Sequence, residues 1–255
     1  MKKMGYFTLI CSMLLILCLP ILVQAQTPVA QWTFDTLKDS IGNFADVKLM
    51  GGATITNGKL NVDTGKWAVA SPMTKGPDIS EKTLVSWAYI DDLTLLAGSI
   101  ITLDQIAADQ FDGIVFGERQ PRKWMAGSSN FSRTNDAVPG FEETKTGELV
   151  CIAISYQNDG GTSHQSLYRN GTFIGDYKLG TVPTMKAGDA EVFWGKRHGN
   201  AASGGPGDLK ARIEESRIYN SVLSEAQIKA LTLVGTSAVT SNGKVATLWG
   251  TMKTK

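Results

Sequence analysis

Two acidic side chains about 5–5.5 Å apart can hydrolyse a glycosidic bond with retention of configuration. On a β-strand, side chains at positions i and i+2 or i+4 share a face, so a usable pair needs that spacing. The acidic doublets Glu142-Glu143 and Glu214-Glu215 are adjacent and would face opposite sides of a strand. This spacing does not favour a carboxylate-pair hydrolase.

Other catalytic and metal patterns are also missing from the sequence. Asp109 and Asp112 lie three positions apart in a predicted turn. The two histidines, His164 and His198, have no partner at i+2 or i+4, which does not favour zinc. No G-x-S-x-G motif is present.

Aromatic side chains close to planar polar groups are typical of sugar-binding surfaces. Trp124 with Arg119 and Arg133 forms one such group, and Arg197 with His198 forms a second at the start of a glycine-rich stretch. We expect these five residues to bind the ligand. Two alternatives stay open: Trp124 lies in the core, or the arginines pair with nearby glutamates at the surface, where ion pairs contribute little stability.

Charge and composition narrow the kind of partner. The chain has 255 residues, 25 Lys+Arg, 24 Asp+Glu and a net charge of +1. Nucleic-acid binders carry a clustered basic face, which this balance does not suggest. A hydrophobic content of 42% is enough for a packed core.

Residues 1–25 are expected to be a signal peptide. Two lysines precede an apolar run at residues 9–23, and small residues stand at positions 23 and 25. We expect cleavage before Gln26, secretion or transfer to the cell envelope, and no membrane span in the mature protein; the alternative is an uncleaved anchor. The mature chain keeps one cysteine, Cys151, in an apolar run, where a buried thiol is expected.

The rest of the chain indicates many short strands. Asn170-Gly171 between two β-rich runs predicts a hairpin, as do Asn57-Gly58 and Asn242-Gly243. Ser224 followed by Gln227 predicts the capping box of one short helix. The fold class is therefore all-β, a two-sheet antiparallel sandwich over residues 26–233 with one short helix and a C-terminal hairpin or tail at 234–255. Strands are expected at residues 29–34, 83–90, 99–103, 113–116, 148–156, 164–169 and 172–178.

The order of these segments resembles the laminin-G-like group of concanavalin-A-like jelly rolls found in bacterial secreted proteins. Four blocks carry the resemblance: Gln31-Trp32-Thr33-Phe34-Asp35; Thr83-Leu84-Val85-Ser86-Trp87-Ala88-Tyr89-Ile90; residues 149–156 followed by Leu167-Tyr168-Arg169-Asn170-Gly171; and residues 213–224. The resemblance implies a jelly roll. Independently of the resemblance, Trp32, Trp87 and Trp194 each lie in a strand-like run, so we expect them in the core.

The resemblance further implies a structural calcium ion between the first and last strands, held by Asp35 and Glu214. Glu214 stands where the family usually has Asp, and Ser216 where it has an apolar residue. The spacing from Ile213 to Ile218 is odd, so both can point inward only if a β-bulge lies between them, near Glu215.

The family includes both binders and glycoside hydrolases, so the fold does not decide the function. Because no carboxylate pair is apparent, we expect an exported, non-catalytic module that binds a carbohydrate or glycoconjugate. The alternatives are a secreted glycoside hydrolase on the same fold, and a protein-binding adhesive or structural module.

Overall fold

The structure, a computed structural model, describes residues 26–234. The expected signal peptide and the hairpin expected at Asn242-Gly243 lie outside these residues. In chain order the strands are β1 (Ala30–Trp32), β2 (Lys48–Met50), β3 (Thr54–Thr56), β4 (Lys59–Val62), β5 (Trp67–Ala70), β6 (Lys82–Ile90), β7 (Ser99–Gln105), β8 (Phe111–Phe116), β9 (Trp124–Ser128), β10 (Val138–Pro139), β11 (Leu149–Asp159), β12 (Thr162–Arg169), β13 (Thr172–Lys178), β14 (Ala190–Trp194) and β15 (Ala211–Tyr219). The helix is α1 (Glu225–Ala230).

The strands form two antiparallel sheets packed face to face, which confirms the two-sheet jelly roll. One sheet has the order β10-β13-β12-β11-β6-β15-β4-β3, with β1 also paired to β15. The other has the order β2-β5-β14-β7-β8-β9. Their facing side chains form one large core, in which Trp32 and Trp194 meet edge to face with ring centroids 4.9 Å apart.

Three local signals in the sequence are confirmed within residues 26–234. Asn170 and Gly171 adopt φ of 51° and 76° and join β12 to β13 as a tight hairpin. Asn57-Gly58 joins β3 to β4 in the same way. The Ser224 side chain accepts the N–H of Gln227, whose side chain accepts the N–H of Ser224, so both halves of the capping box are present.

The β-bulge expected in the last strand is also confirmed. The register between β15 and β6 shifts between Ile213 and Glu215. The shift lets Ile213 and Ile218 both enter the core, where each is fully buried. Glu215 and Arg217 then share the outer face, and Arg217 Nε donates to Glu215 Oε1 at 2.5 Å.

Helix α1 covers part of the outer face of the larger sheet. Its residue Ile228 packs with Trp87 and Cys151 in a second apolar cluster. Cys151 is buried as expected, and burial raises the pKa of its thiol to about 12. Within residues 26–234, α1 is too short and too polar to span a bilayer, and no other helix there meets that need.

The outer face of the six-stranded sheet is covered too, by residues 195–207, called here the glycine-rich loop. Trp67 of β5 stacks on Phe193 of β14, and Ala201 of the loop packs against them. Gly199 must be glycine, because a Cβ there would lie 2.6 Å from the carbonyl oxygen of Gly204. The loop therefore covers the part of this face over β5 and β14, and a groove lies at the end beside β7 and β8.

Candidate functional site

A groove opens at that end of the sheet, between the β7–β8 turn and the glycine-rich loop. It consists of two cavities of about 360 and 300 Å³, and Asp109 and His198 line both. The larger runs along residues 104–109 beside Gly199, and the smaller lies over Phe111. Concave sites of this size with a few polar groups are the usual form of small-ligand sites.

His198 occupies the centre of the groove. Its ring stacks on Phe111, with centroids 4.4 Å apart and planes 7° from parallel. Its Nδ1 lies 3.7 Å from Asp109 Oδ1. Burial, and secondarily the neighbouring Arg197, lower the pKa of His198, so the ring is neutral at pH 7.

Asp104 forms the back of the larger cavity and is only 2% exposed. Its Oδ1 accepts the N–H of Gln105 at 2.9 Å, and its Oδ2 accepts the N–H of Gly199 at 3.0 Å. Burial raises the pKa of Asp104 to about 7, with smaller contributions from Glu191 and Asp109.

Glu191 is the cross-strand partner of Asp104, since β14 pairs with β7. Burial raises the pKa of Glu191 as well. The two carboxyl groups therefore share the outer face of one sheet, although they come from distant parts of the chain.

One rim of the groove is a 3-10 turn, Ser129–Phe131. Asn130 and Phe131 both adopt left-handed backbone, with φ of 50° and 54°. Such conformations are uncommon for residues other than glycine. Phe131 is 44% exposed, and both residues line the smaller cavity. The turn thus places one aromatic and one amide-bearing residue at the edge of the groove.

Of the predicted ligand-binding residues, Arg197 and His198 lie in this groove. Arg197 Nη1 pairs with Glu118 Oε1, an arginine–glutamate ion pair of the kind that the sequence leaves open as an alternative. Arg122 pairs with Glu142 in the same manner.

Arg133 lies behind the groove rather than in it, which corrects the expectation that it contacts ligand from the surface. It is buried, its Nε donates to Asp112 Oδ1 at 2.8 Å, and its Nη2 donates to the Phe111 carbonyl at 2.9 Å. Asp112 Oδ2 also pairs with Lys82 Nζ at 2.9 Å. The reason is charge compensation: Asp112 points into the core and is balanced by two buried cations.

Trp124 and Arg119 do not line the groove. Trp124 is 3% exposed, packs on Phe116, and donates its indole N–H to Glu143 Oε1 at 2.9 Å. Of the two alternatives for Trp124, the structure shows the core position, so it offers no exposed platform. Arg119 is at the surface and pairs with Asp136 at 3.2 Å.

Both expected calcium ligands lie beside the β3–β4 hairpin. Asp35 is exposed and its Oδ1 faces Gly58. Glu214 Oε2 lies 3.0 Å from Lys59 Nζ, so a lysine already balances its charge. Across residues 26–234, no group of three or more His, Cys, Asp or Glu side chains is arranged to hold a metal ion. These two residues do not by themselves form a fitting calcium site.

Sequence reasoning did not single out Asp104, Asp109, Asn130 or Phe131 as groove residues. In the sequence, Asp109 is recognisable only as one member of an acidic pair whose spacing does not favour catalysis. A usable signal was the acidic, polar and aromatic content of residues 104–112 and 128–131, which lie together at the open end of the β8–β9 hairpin.

A laminin G family model, described as the concanavalin A-like lectin/glucanases superfamily, matches residues 63–229. No curated protein matches the sequence.

Several solved structures share the fold. Domain 4 of AbnA, a GH43 extracellular arabinanase from Geobacillus stearothermophilus in complex with arabinotriose, has 20% identity and a TM-score of 0.51, covering 81% of this chain and 98% of that one. The receptor binding domain of botulinum neurotoxin type G has 11% identity and a TM-score of 0.55, covering 80% of this chain and 50% of that one. The binding domain of botulinum neurotoxin serotype D has 14% identity and a TM-score of 0.54, covering 80% of this chain and 50% of that one. The chain thus spans about half the length of the toxin domains, and at these identities the likeness concerns the fold.

Proposed function

Because this chain belongs to the concanavalin A-like lectin/glucanases superfamily, we propose that it is an exported, non-catalytic module that binds a carbohydrate or glycoconjugate in the groove. The fold hosts both binding and catalysis, so the proposal depends on the site itself.

The observation that carries the proposal is the pairing of an exposed aromatic face with convergent polar groups in one concave site. Phe131 offers an apolar face, against which the C–H face of a sugar ring can pack. Asn130 and Asp109 offer an amide and a carboxylate to sugar hydroxyls. An arabinanase domain of the same fold was solved with arabinotriose, which supports a sugar as the ligand class.

A glycan array probed with the secreted chain tests this function. We expect binding to a restricted set of glycans, lost in Phe131→Ala. The matched control is Phe173→Ala, because Phe173 is 40% exposed on β13 and does not line the groove. No glycan bound by the folded protein, or a loss of binding in Phe173→Ala alone, would contradict the proposal. A protein bound instead of a glycan would favour an adhesive module.

A second candidate is a glycoside hydrolase, favoured by one observation. Asp104 lines the groove with a pKa of about 7, the range of a general acid, and Asp109 lines the same cavity. Incubation of the secreted chain with the glycans it binds, followed by mass spectrometry of the products, separates the two functions. Binding without cleavage supports the module; cleavage that Asp104→Asn abolishes supports the enzyme.

We propose export because residues 1–25 have the order of a signal peptide: basic residues, then an apolar run, then small residues. Intact-mass measurement of the secreted protein should give a chain that begins at Gln26. A membrane-bound product that keeps Met1 would contradict cleavage.

A structural calcium ion at Asp35 and Glu214 stays a proposal, and it would have to compete with Lys59 for Glu214. A ligand that binds only the native state raises stability. The melting temperature should then rise with millimolar calcium, fall with chelator, and lose this difference in Asp35→Ala. An equal melting temperature in both conditions, with no ion found by elemental analysis, would remove the site.

A further inference from the structure

Resting on the proposed function, we infer that the groove selects sugars that carry a free, protonated amino group. Two features of the groove favour such sugars: the balance of charged groups around it and its exposed aromatic ring.

Acidic groups outnumber uncompensated cations around the groove. Asp104 and Asp109 line it, and Glu191 lies beside Asp104 on the neighbouring strand. Asp189 Oδ1 accepts the N–H of Ala107, in the turn that forms one wall. Arg197 is the one arginine or lysine among the lining residues, and Glu118 balances it.

His198 adds no lasting positive charge, because burial lowers its pKa. An anionic sugar would therefore meet Asp109 and Asp104 without a free cation to pair with, and like charges placed together are disfavoured. A protonated amino group would instead be attracted by these two carboxyl groups.

The geometry gives an ammonium group two partners. The Asp109 side chain is 59% exposed at the junction of the two cavities, so its carboxylate can reach a ligand in either one. Phe131 exposes its ring at the rim of the smaller cavity, where a cation can lie over the aromatic face. A sugar packed on Phe131 can thus present its amino group to Asp109.

Asp104 makes the binding of an amino sugar depend on pH. Because burial raises the pKa of Asp104 to about 7, the ligand-free protein holds this proton in part of its molecules near neutral pH. A nearby ammonium group favours the carboxylate form, so binding should release a proton near neutral pH. A neutral sugar gives no such release.

The test compares three β-1,4-linked hexasaccharides that share one backbone geometry and differ at C2: glucosamine, N-acetylglucosamine and glucose. Calorimetry at pH 6.5 and low salt, with the secreted chain, should show the glucosamine oligomer binding at least tenfold tighter than the other two. Asp109→Asn should remove most of that advantage while leaving the melting temperature near that of the wild type. A lysine hexapeptide supplies charge without a sugar ring and should bind at least tenfold more weakly.

Equal or tighter binding of the acetylated or glucose oligomer would overturn the selectivity and leave the sugar-binding function standing. Equal binding of the lysine hexapeptide would also overturn it, because charge alone would then explain the affinity. If none of the three oligomers binds, the amino-sugar inference fails, and the glycan array decides the proposed function separately.

Discussion

The Asp104 carboxylate accepts the backbone N–H of Gly199 at 3.0 Å, and this bond ties β7 to the glycine-rich loop. The loop forms one wall of the groove, so a buried acid on the sheet helps to fix the shape of the groove. The same burial raises the pKa of Asp104 to about 7. Loop position and proton binding are thereby linked at one residue.

Stability should fall as pH rises through the pKa of Asp104. The folded state holds this proton up to about pH 7, whereas the unfolded chain releases it near its ordinary value of 3.8. Between these values the native state binds more protons than the unfolded state, so the free energy of unfolding decreases with pH. At about 1.4 kcal/mol per pH unit, the full effect is about 4 kcal/mol by pH 8.

Urea unfolding of the wild type and of Asp104→Asn from pH 5 to 8 checks this. His198 works in the opposite direction, because its folded pKa is lowered. The effect of Asp104 is therefore given by the difference in the free energy of unfolding between the two proteins. As pH rises, the variant should become more stable relative to the wild type. Asp109→Asn, at an exposed carboxylate, is the control and should follow the wild type. A pH-independent difference for Asp104→Asn would contradict the account.

Arg133→Met should lower the free energy of unfolding much more than Arg119→Met, although the sequence predicts ligand binding for both arginines. Removing buried Arg133 leaves Asp112 with Lys82 alone and takes a donor from the Phe111 carbonyl. Breaking a buried pair costs about 3–5 kcal/mol, and an exposed pair such as Arg119–Asp136 about 0–1 kcal/mol. Chemical denaturation of Arg133→Met and Arg119→Met measures both, and equal losses would be inconsistent with the structure.

Trp124→Ala should destabilise the fold without weakening binding. The change empties a core position and removes the indole N–H donor to Glu143, with an expected loss of about 3–5 kcal/mol. Affinity per folded molecule should stay unchanged, because Trp124 does not line the groove. A stable variant with lost affinity would instead restore Trp124 as a ligand platform.

The fold was largely predictable because its signals are local. Asn170-Gly171 specifies a turn from its own backbone preferences, Ser224 and Gln227 cap the same helix, and the odd spacing of Ile213 and Ile218 requires a bulge. Each of these depends on neighbours within a few positions.

The site was predictable only in part because it depends on pairing between distant segments. Arg197 and His198 could be found as a polar pair entering a glycine-rich loop. That Asp104 faces Glu191 follows from the pairing of β7 with β14, which spacing within one strand cannot reveal. That Arg133 is buried follows from Asp112 on the strand paired with β9. Arginine side chains are usually exposed, which suggested a surface position for Arg133. Arg133 is buried because its charge compensates that of Asp112 in the core.

The most direct test of the central claim is a calorimetric titration of the best array glycan into the wild type, Phe131→Ala and Phe173→Ala. Removing an aromatic contact worth about 1.4 kcal/mol weakens binding tenfold. We expect at least that loss for Phe131→Ala and less than a twofold change for Phe173→Ala, with all three proteins folded. Wild-type affinity in Phe131→Ala would show that the glycan binds elsewhere and would contradict the assignment of the groove as the binding site.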